Sequence, residues 1–229
     1  MNVFAIADLH LSFSSEKPMG IFGDCWDNHA EKIKANWIEH IHHEDLVLIA
    51  GDISWAMTLD EVQEDLNWLG TLPGKKILIK GNHDYWWNGI GKVRSILPRN
   101  VFAIQNDSML IDDLCICGTR GWQLPSHPKT TSDDIRLYAR EVERLKLSLL
   151  SAPKNCQKKM VMLHYPPLSS NGDSTEITEL LEKNHIDLCI YGHLHAQAHQ
   201  YAFEGFKNGI EYRLTSADYL DFSPVKLNI

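Results

Sequence analysis

A chain of 229 residues with 44% hydrophobic content is long enough for one full core, and a single domain over positions 1–229 is expected. A formal net charge of −8 without a basic stripe argues against an extended nucleic-acid partner, because neutralising several backbone phosphates takes clustered Lys and Arg. No apolar run approaches the roughly 20 residues of a membrane helix. No secretory leader pattern is visible, and five cysteines show neither a disulfide framework nor a zinc-like spacing, so a cytoplasmic chain without a membrane partner is expected.

Taken in chain order, the apolar run at 3–7 predicts a buried strand and the spacing over 28–42 a helix, followed by a second strand at 46–50. Thr58 with Glu61 three residues later forms a capping box that predicts a helix over 59–69, before a strand at 76–80. Short strand-like runs at 101–104, 109–111 and 114–117 lie too close together for helical crossovers and predict a second, more antiparallel sheet. A helix over 133–150 and strands at 160–163 and 186–191 follow; the tail over 196–214 reads as two further strands, with Gly205 and Gly209 bracketing the turn. Segments 13–27 and 165–175, rich in Ser, Gly and Pro, are the longest loops beside the polar motifs and are candidate lids.

Five polar motifs follow five of these strands: Asp8-Leu9-His10, Gly51-Asp52, Gly81-Asn82-His83-Asp84, His164, and Gly192-His193-Leu194-His195. The carboxyl ends of strands in an open α/β sheet form the crevice where ligands bind, so residues far apart in sequence converge there. Carboxylate, imidazole and amide oxygen together suit Mn, Fe or Zn, with Mg better served by an all-oxygen set. Two four-coordinate ions need about eight ligating contacts, which seven side chains supply if one carboxylate bridges. Any one of these residues alone would serve equally as a polar cap on a strand. Five motifs, each at a strand end and three with glycine, are not explained that way.

In this order the motifs resemble those of the calcineurin-like metallophosphoesterases, over residues 8 to 195, with no motif position substituted. The resemblance implies an α/β fold, a four-layer α/β/β/α sandwich of two mixed sheets flanked by helices. It implies two divalent or transition metal ions: Asp8, His10, Asp52 and His195 would hold one, and Asp52, Asn82, His164 and His193 the other, with Asp52 bridging. Two divalent ions against two carboxylates and a shared hydroxide leave about +1 facing a phosphate, and such a pair favours in-line attack by that hydroxide. The resemblance also makes His83 the general acid that protonates the leaving oxygen, with Asp84 orienting its ring; the competing reading of His83 is a prop behind the ligands.

Trp26, Trp55, Trp86, Trp87 and Trp122 fall in predicted loops. Trp55, Trp86 and Trp87 fall within three residues of Asp52 or Asp84, and tryptophans so placed, Trp55 and Trp86 first among them, either stack on a substrate base or aryl group or pack loops onto the sandwich. Arg120, flanked by Gly118 and Gly121, either reaches toward a substrate phosphate or is a solvated surface residue. The expected activity is hydrolysis of a small phosphomonoester or phosphodiester. Its rivals are a catalytically silent scaffold, disfavoured by the complete ligand set, and a nuclease acting on nucleic-acid ends, disfavoured by the lack of a basic capping region. Oligomeric state is not legible.

Overall fold

The computed structural model describes every residue except Glu16, Pro18 and Asn155, and only the main chain at Ile21. Five strands form the first sheet, in the order β11-β1-β2-β3-β4. β1 (Val3–Ile6), β2 (Leu46–Ile49), β3 (Lys75–Leu78) and β4 (Val101–Ala103) are parallel and joined by α1 (His29–His40), α2 (Val62–Thr71) and α3 (Ile90–Ile96). β11 (Val225–Leu227) closes the edge antiparallel to β1.

The second sheet has the order β5-β6-β7-β8-β10-β9. β6 (Leu114–Thr119), β7 (Lys158–Leu163), β8 (Leu188–Tyr191) and β10 (Ile210–Leu214) are parallel; β5 (Ser108–Ile111) and β9 (Gly205–Lys207) pair antiparallel at the two edges. Helices α4 (Ser132–Leu150) and α5 (Glu176–Lys183) cover its outer face.

The apolar runs are continuous because both faces of each central strand are buried. In β1, Val3 and Ala5 face the second sheet, where they meet a cluster including Met160, Met162 and Ile190. Phe4 and Ile6 point the other way, toward Ile33 and Trp37 of α1 and Leu66 of α2. In the second sheet, Val161 and Leu163 pack against Tyr138 and Val142 of α4 and Ile177 of α5. Two mixed sheets lie face to face with helices outside, the four-layer arrangement expected. No helix among the described residues is long and apolar enough to cross a membrane.

Three local expectations are corrected. The segment at 101–104 belongs to the first sheet, parallel to β3 and reached through α3, and the second sheet is mainly parallel. Helix α2 begins at Val62: Thr58 Oγ1 accepts from Glu61 N (3.2 Å), but the Glu61 carboxylate accepts from Met57 N (2.7 Å), so the pair closes a turn before the helix. The β9–β10 turn is built on Asn208 and Gly209 at positive φ, while Gly205 lies inside β9 and 196–201 forms a 3-10 helix.

Candidate metal centre

All five motifs lie at the carboxyl ends of parallel strands, three from the first sheet and two from the second, so the facing sheets bring their strand ends to one crevice. Asp8 and His10 follow β1, Asp52 follows β2, Asn82 follows β3, His164 follows β7, and His193 and His195 follow β8. The turns that aim these side chains are strained: Asp8, His10, Asp52 and His193 have φ of 59°, 45°, 51° and 73°. Such conformations persist only where surrounding bonds fix them. Here those bonds run between the motifs: Asp8 N donates to Gly51 O (2.9 Å), His10 N to Asp52 O (3.0 Å), His83 N to Asp52 Oδ1 (2.8 Å) and His193 N to Asp8 Oδ2 (3.0 Å). The same close approach requires glycine within the motifs. A Cβ at Gly81 would collide with Asp52 and one at Gly192 with the Asp8 carboxylate.

The donor atoms gather into two adjoining groups. Ligand atoms of Asp8, His10 and His195 lie within 4.8 Å of one another, as do those of Asp8, Asp52 and His164. His195 Nε2 is 3.4 Å from both Asp8 Oδ1 and His10 Nε2. Asn82 Oδ1 is 2.8 Å from both His164 Nε2 and His193 Nδ1. Asp52 Oδ2 stands between the groups, 3.8 Å from His10 Nε2 and 3.4 Å from His164 Nε2.

The chemistry of this donor set suits cations. His164 Nδ1 donates to the Ala50 carbonyl (3.0 Å), so in the neutral ring its Nε2 is a lone pair facing the Asn82 and Asp52 oxygens. His195 is held the same way by Asp218 (Nδ1 to Oδ1, 2.9 Å), turning its Nε2 toward Asp8 and His10. Acceptors facing acceptors in a buried crevice are stable only with a proton or a metal between them. Without metal the proton serves: burial opposes charge on both rings, but Asp52 and Asp8 raise His164 to about 9, while Asp8 and Asp218 raise His195 to about 10. Burial lowers His10 to about 4 and His193 to about 3, the latter helped by His164.

Residues 1–197 match the sequence signature of the calcineurin-like phosphoesterases, a span that includes every one of these donors. The chain belongs to that family. Two curated relatives are Gene 66 proteins of Mycobacterium phages: L5, 31% identical over 83 residues, and D29, 37% over 84. Each match takes in 36% of this chain and 40% of the phage protein, so this chain spans well under two thirds of their length. Among solved structures it resembles the phosphopantetheinyl hydrolase of Mycobacterium tuberculosis, with TM-score 0.57, 15% identity, and coverage of 94% of this chain and 88% of that one. It also resembles a protein of unknown function from Aquifex aeolicus, with TM-score 0.52, 17% identity, and coverage of 98% and 95%. At such identities these likenesses speak for the fold alone.

Of the remaining candidates, His83 and Trp55 reach the centre. The Trp55 ring stacks on His10 (centroids 4.9 Å, 21°) and lies 4.3 Å from His83. His83 is half-buried, 5.7 Å from His10 between ring centroids, and its buried Nδ1 has no partner among the described residues.

Asp84 does not orient His83. Its buried carboxylate already accepts from Gly81 N (2.7 Å), Ile53 N (2.9 Å), Ser54 N (3.1 Å) and Trp86 Nε1 (3.0 Å), tying the Asn82 loop to the Asp52 loop. Burial and then the Asp52 charge push its carboxyl up to about 7, against the N–H donors of Gly81 and Ser54.

Trp86 is likewise not a substrate platform: it is fully buried beside Trp87 and bonded to Asp84. Trp86→Ala is expected to cost about 3–5 kcal/mol of stability, the usual range for emptying a buried aromatic site. Chemical denaturation tests this, and a change under 1 kcal/mol would return Trp86 to the pocket wall.

Arg120 turns away from the donors. Its guanidinium lies over Trp122 (4.3 Å), and its one side-chain hydrogen bond among the described residues runs to buried Glu141 (3.4 Å). The candidate lid over 13–27 carries two 3-10 turns, Met19–Phe22 and Asp24–Trp26, and its Glu16 and Pro18 lie outside the described residues.

Two residues at the centre belong to no motif. Asp218 follows β10, whose pairing with β8 carries it behind His195; its Oδ2 also accepts from Ala196 N (2.9 Å). Tyr165, next to His164, has its ring 4.1 Å from the His193 ring between centroids, and burial raises its phenol well above the ordinary range, leaving a neutral hydroxyl.

Proposed function

We propose that this phosphoesterase hydrolyses a small phosphomonoester or phosphodiester at a two-metal centre. Asp8, His10, Asp52 and His195 hold one ion, Asp52, Asn82, His164 and His193 the other, and His83 protonates the leaving oxygen. The observation that carries this reading is the position of Asp52 Oδ2 between two groups of inward-turned donors. When bound, such a pair supplies Lewis-acid polarisation of the phosphoryl oxygens and a nucleophile at neutral pH. The chain's own residues do the rest. Asp218 and the Ala50 carbonyl fix the His195 and His164 tautomers, and Trp55 packs His10 and the half-buried His83 ring into place beside the donors.

The test is hydrolysis of nitrophenyl phosphomonoesters and phosphodiesters by chelator-stripped protein after adding back Mn²⁺, Fe²⁺, Zn²⁺ or Mg²⁺, with metal content measured on the desalted product. Turnover restored at close to two ions per chain is expected. No turnover with any of the metals, or a stoichiometry near one, would overturn the assignment.

A pH dependence follows from the rings. His164 and His195 lie at about 9 and about 10 without metal, above the ordinary 6.5, so both carry a proton at pH 7, whereas a ligating imidazole is neutral. Metal uptake at pH 7 should therefore release up to two protons, and apparent affinity should rise with pH by about tenfold per unit for each proton released, levelling off above pH 9 to 10. Calorimetry of Zn²⁺ binding in buffers of different ionisation enthalpy counts the protons. Zero released would mean that these rings are neutral before the metal arrives.

A further inference from the structure

A second cavity, of about 340 Å³, opens beside α4 and is lined by none of the seven metal donors. Its volume lies within the roughly 300–1,000 Å³ of small-ligand sites. Its lining includes Lys80 at the end of β3, Arg120 at the end of β6, and Arg140 and Arg144 on α4, against one carboxylate, Glu141. Glu141 is fully buried and fully engaged: Oε2 accepts from Thr119 Oγ1 (2.6 Å), and Oε1 from Arg144 (2.5 Å) and Arg120 (3.4 Å). Lys80 and Arg140 have no ion pair among the described residues; Lys80 Nζ donates only to the Trp87 carbonyl (2.8 Å). Asp84, the carboxylate behind Lys80, is not part of the cavity lining and is held by the N–H donors described above. Arg120 Nε is buried with no partner among the described residues, an unused donor in a protein whose net charge is −8.

Four cations around one saturated carboxylate leave an excess of about three positive charges, and three of the four are guanidiniums, whose planar donors match phosphate oxygens. Converging cations in a partly desolvated cavity repel one another unless an anion is present. We infer that this cavity is a phosphate-group binding site separate from the metal centre. The ligand is either free phosphate or a second phosphate carried by a bound ester. Main-chain contact links the two sites: the Arg120 carbonyl accepts from His164 N (2.9 Å), and Lys80 precedes Gly81-Asn82. The inference stands independently of the two-metal assignment.

The experiment is titration of the Zn²⁺-loaded full chain with inorganic phosphate, read by NMR at the arginine Nε–H groups, which the metal centre lacks. Saturable shifts at Arg120 and Arg144 are expected. Arg140→Ala, at an exposed helix position, should weaken the binding at least about tenfold, and Arg140→Glu should abolish it, with kcat on nitrophenyl phosphate unchanged in both. Absence of saturable shifts at millimolar phosphate, or shifts unaltered in Arg140→Glu, would overturn the proposal whether or not the protein hydrolyses esters. A raised KM of Arg140→Ala for a bisphosphorylated ester but not for a monophosphate identifies the substrate's second phosphate as the source. A KM unchanged for both, with phosphate binding still weakened, identifies free phosphate.

Discussion

Asp52→Asn is expected to empty both metal positions and reduce turnover by more than the roughly 10- to 100-fold typical of losing a partner behind a ligand. The new amide keeps an oxygen for His83 N, so the main-chain link between the two motifs survives. What changes is the atom between the groups: an NH₂ replaces Oδ2, 3.4 Å from His164 Nε2 and 3.8 Å from His10 Nε2. It brings a donor into the metal position, bonds the lone pair a metal would use, and removes one of the two negative charges that hold the ions. Asp52 is also the main influence raising His164, so that ring loses its proton more readily in the variant and metal-free centre. Elemental analysis after desalting, with circular dichroism to show an intact fold, checks this. Retention of two ions and most of the activity would mean that Asp52 is not the bridge.

The centre was legible because its chemistry is written in side-chain identity and in placement at strand ends, and the strands were legible because burial on both faces leaves unbroken apolar runs such as Leu46–Ile49. Relationships that depend on which strands become neighbours were not legible. Asp218 stands alone in sequence, and only the β8–β10 pairing places it behind His195. Asp84 was misread for a related reason. The family resemblance implied a partnership with His83, yet its buried carboxylate is claimed by N–H groups from the β2 loop. At 101–104 closeness in sequence to the following strands misled, because the seven-residue helix α3 is too short to announce the crossover that takes β4 into the first sheet. Arg120 lines a cavity that α4 completes, a neighbourhood its own flanking glycines do not reveal.

His83→Ala is expected to keep both metals while lowering turnover by roughly 10²- to 10⁴-fold, the usual worth of a general acid, and by an amount that depends on the leaving group. The ring donates no ligand in the proposed centre, and the contact that serves Asp52 is its main-chain N–H, which alanine retains. A nitrophenolate departs without a proton and an alkyl alkoxide does not, so the loss should be far larger on alkyl esters. The pH profile carries the same signature. Burial holds the His83 ring below its ordinary range against the pull of Asp52, so the fraction carrying a proton declines from below pH 6.5 upward. Wild-type kcat on alkyl esters should fall along that limb, and the limb should vanish in the variant. The Trp55 contact supplies the alternative: a ring that only packs Trp55 and His10 would, once removed, loosen the ligand shell and cost the same on every ester. Equal losses on nitrophenyl and alkyl substrates, with metals still bound, would therefore make His83 a positioning residue and leave the proton donor to be found elsewhere.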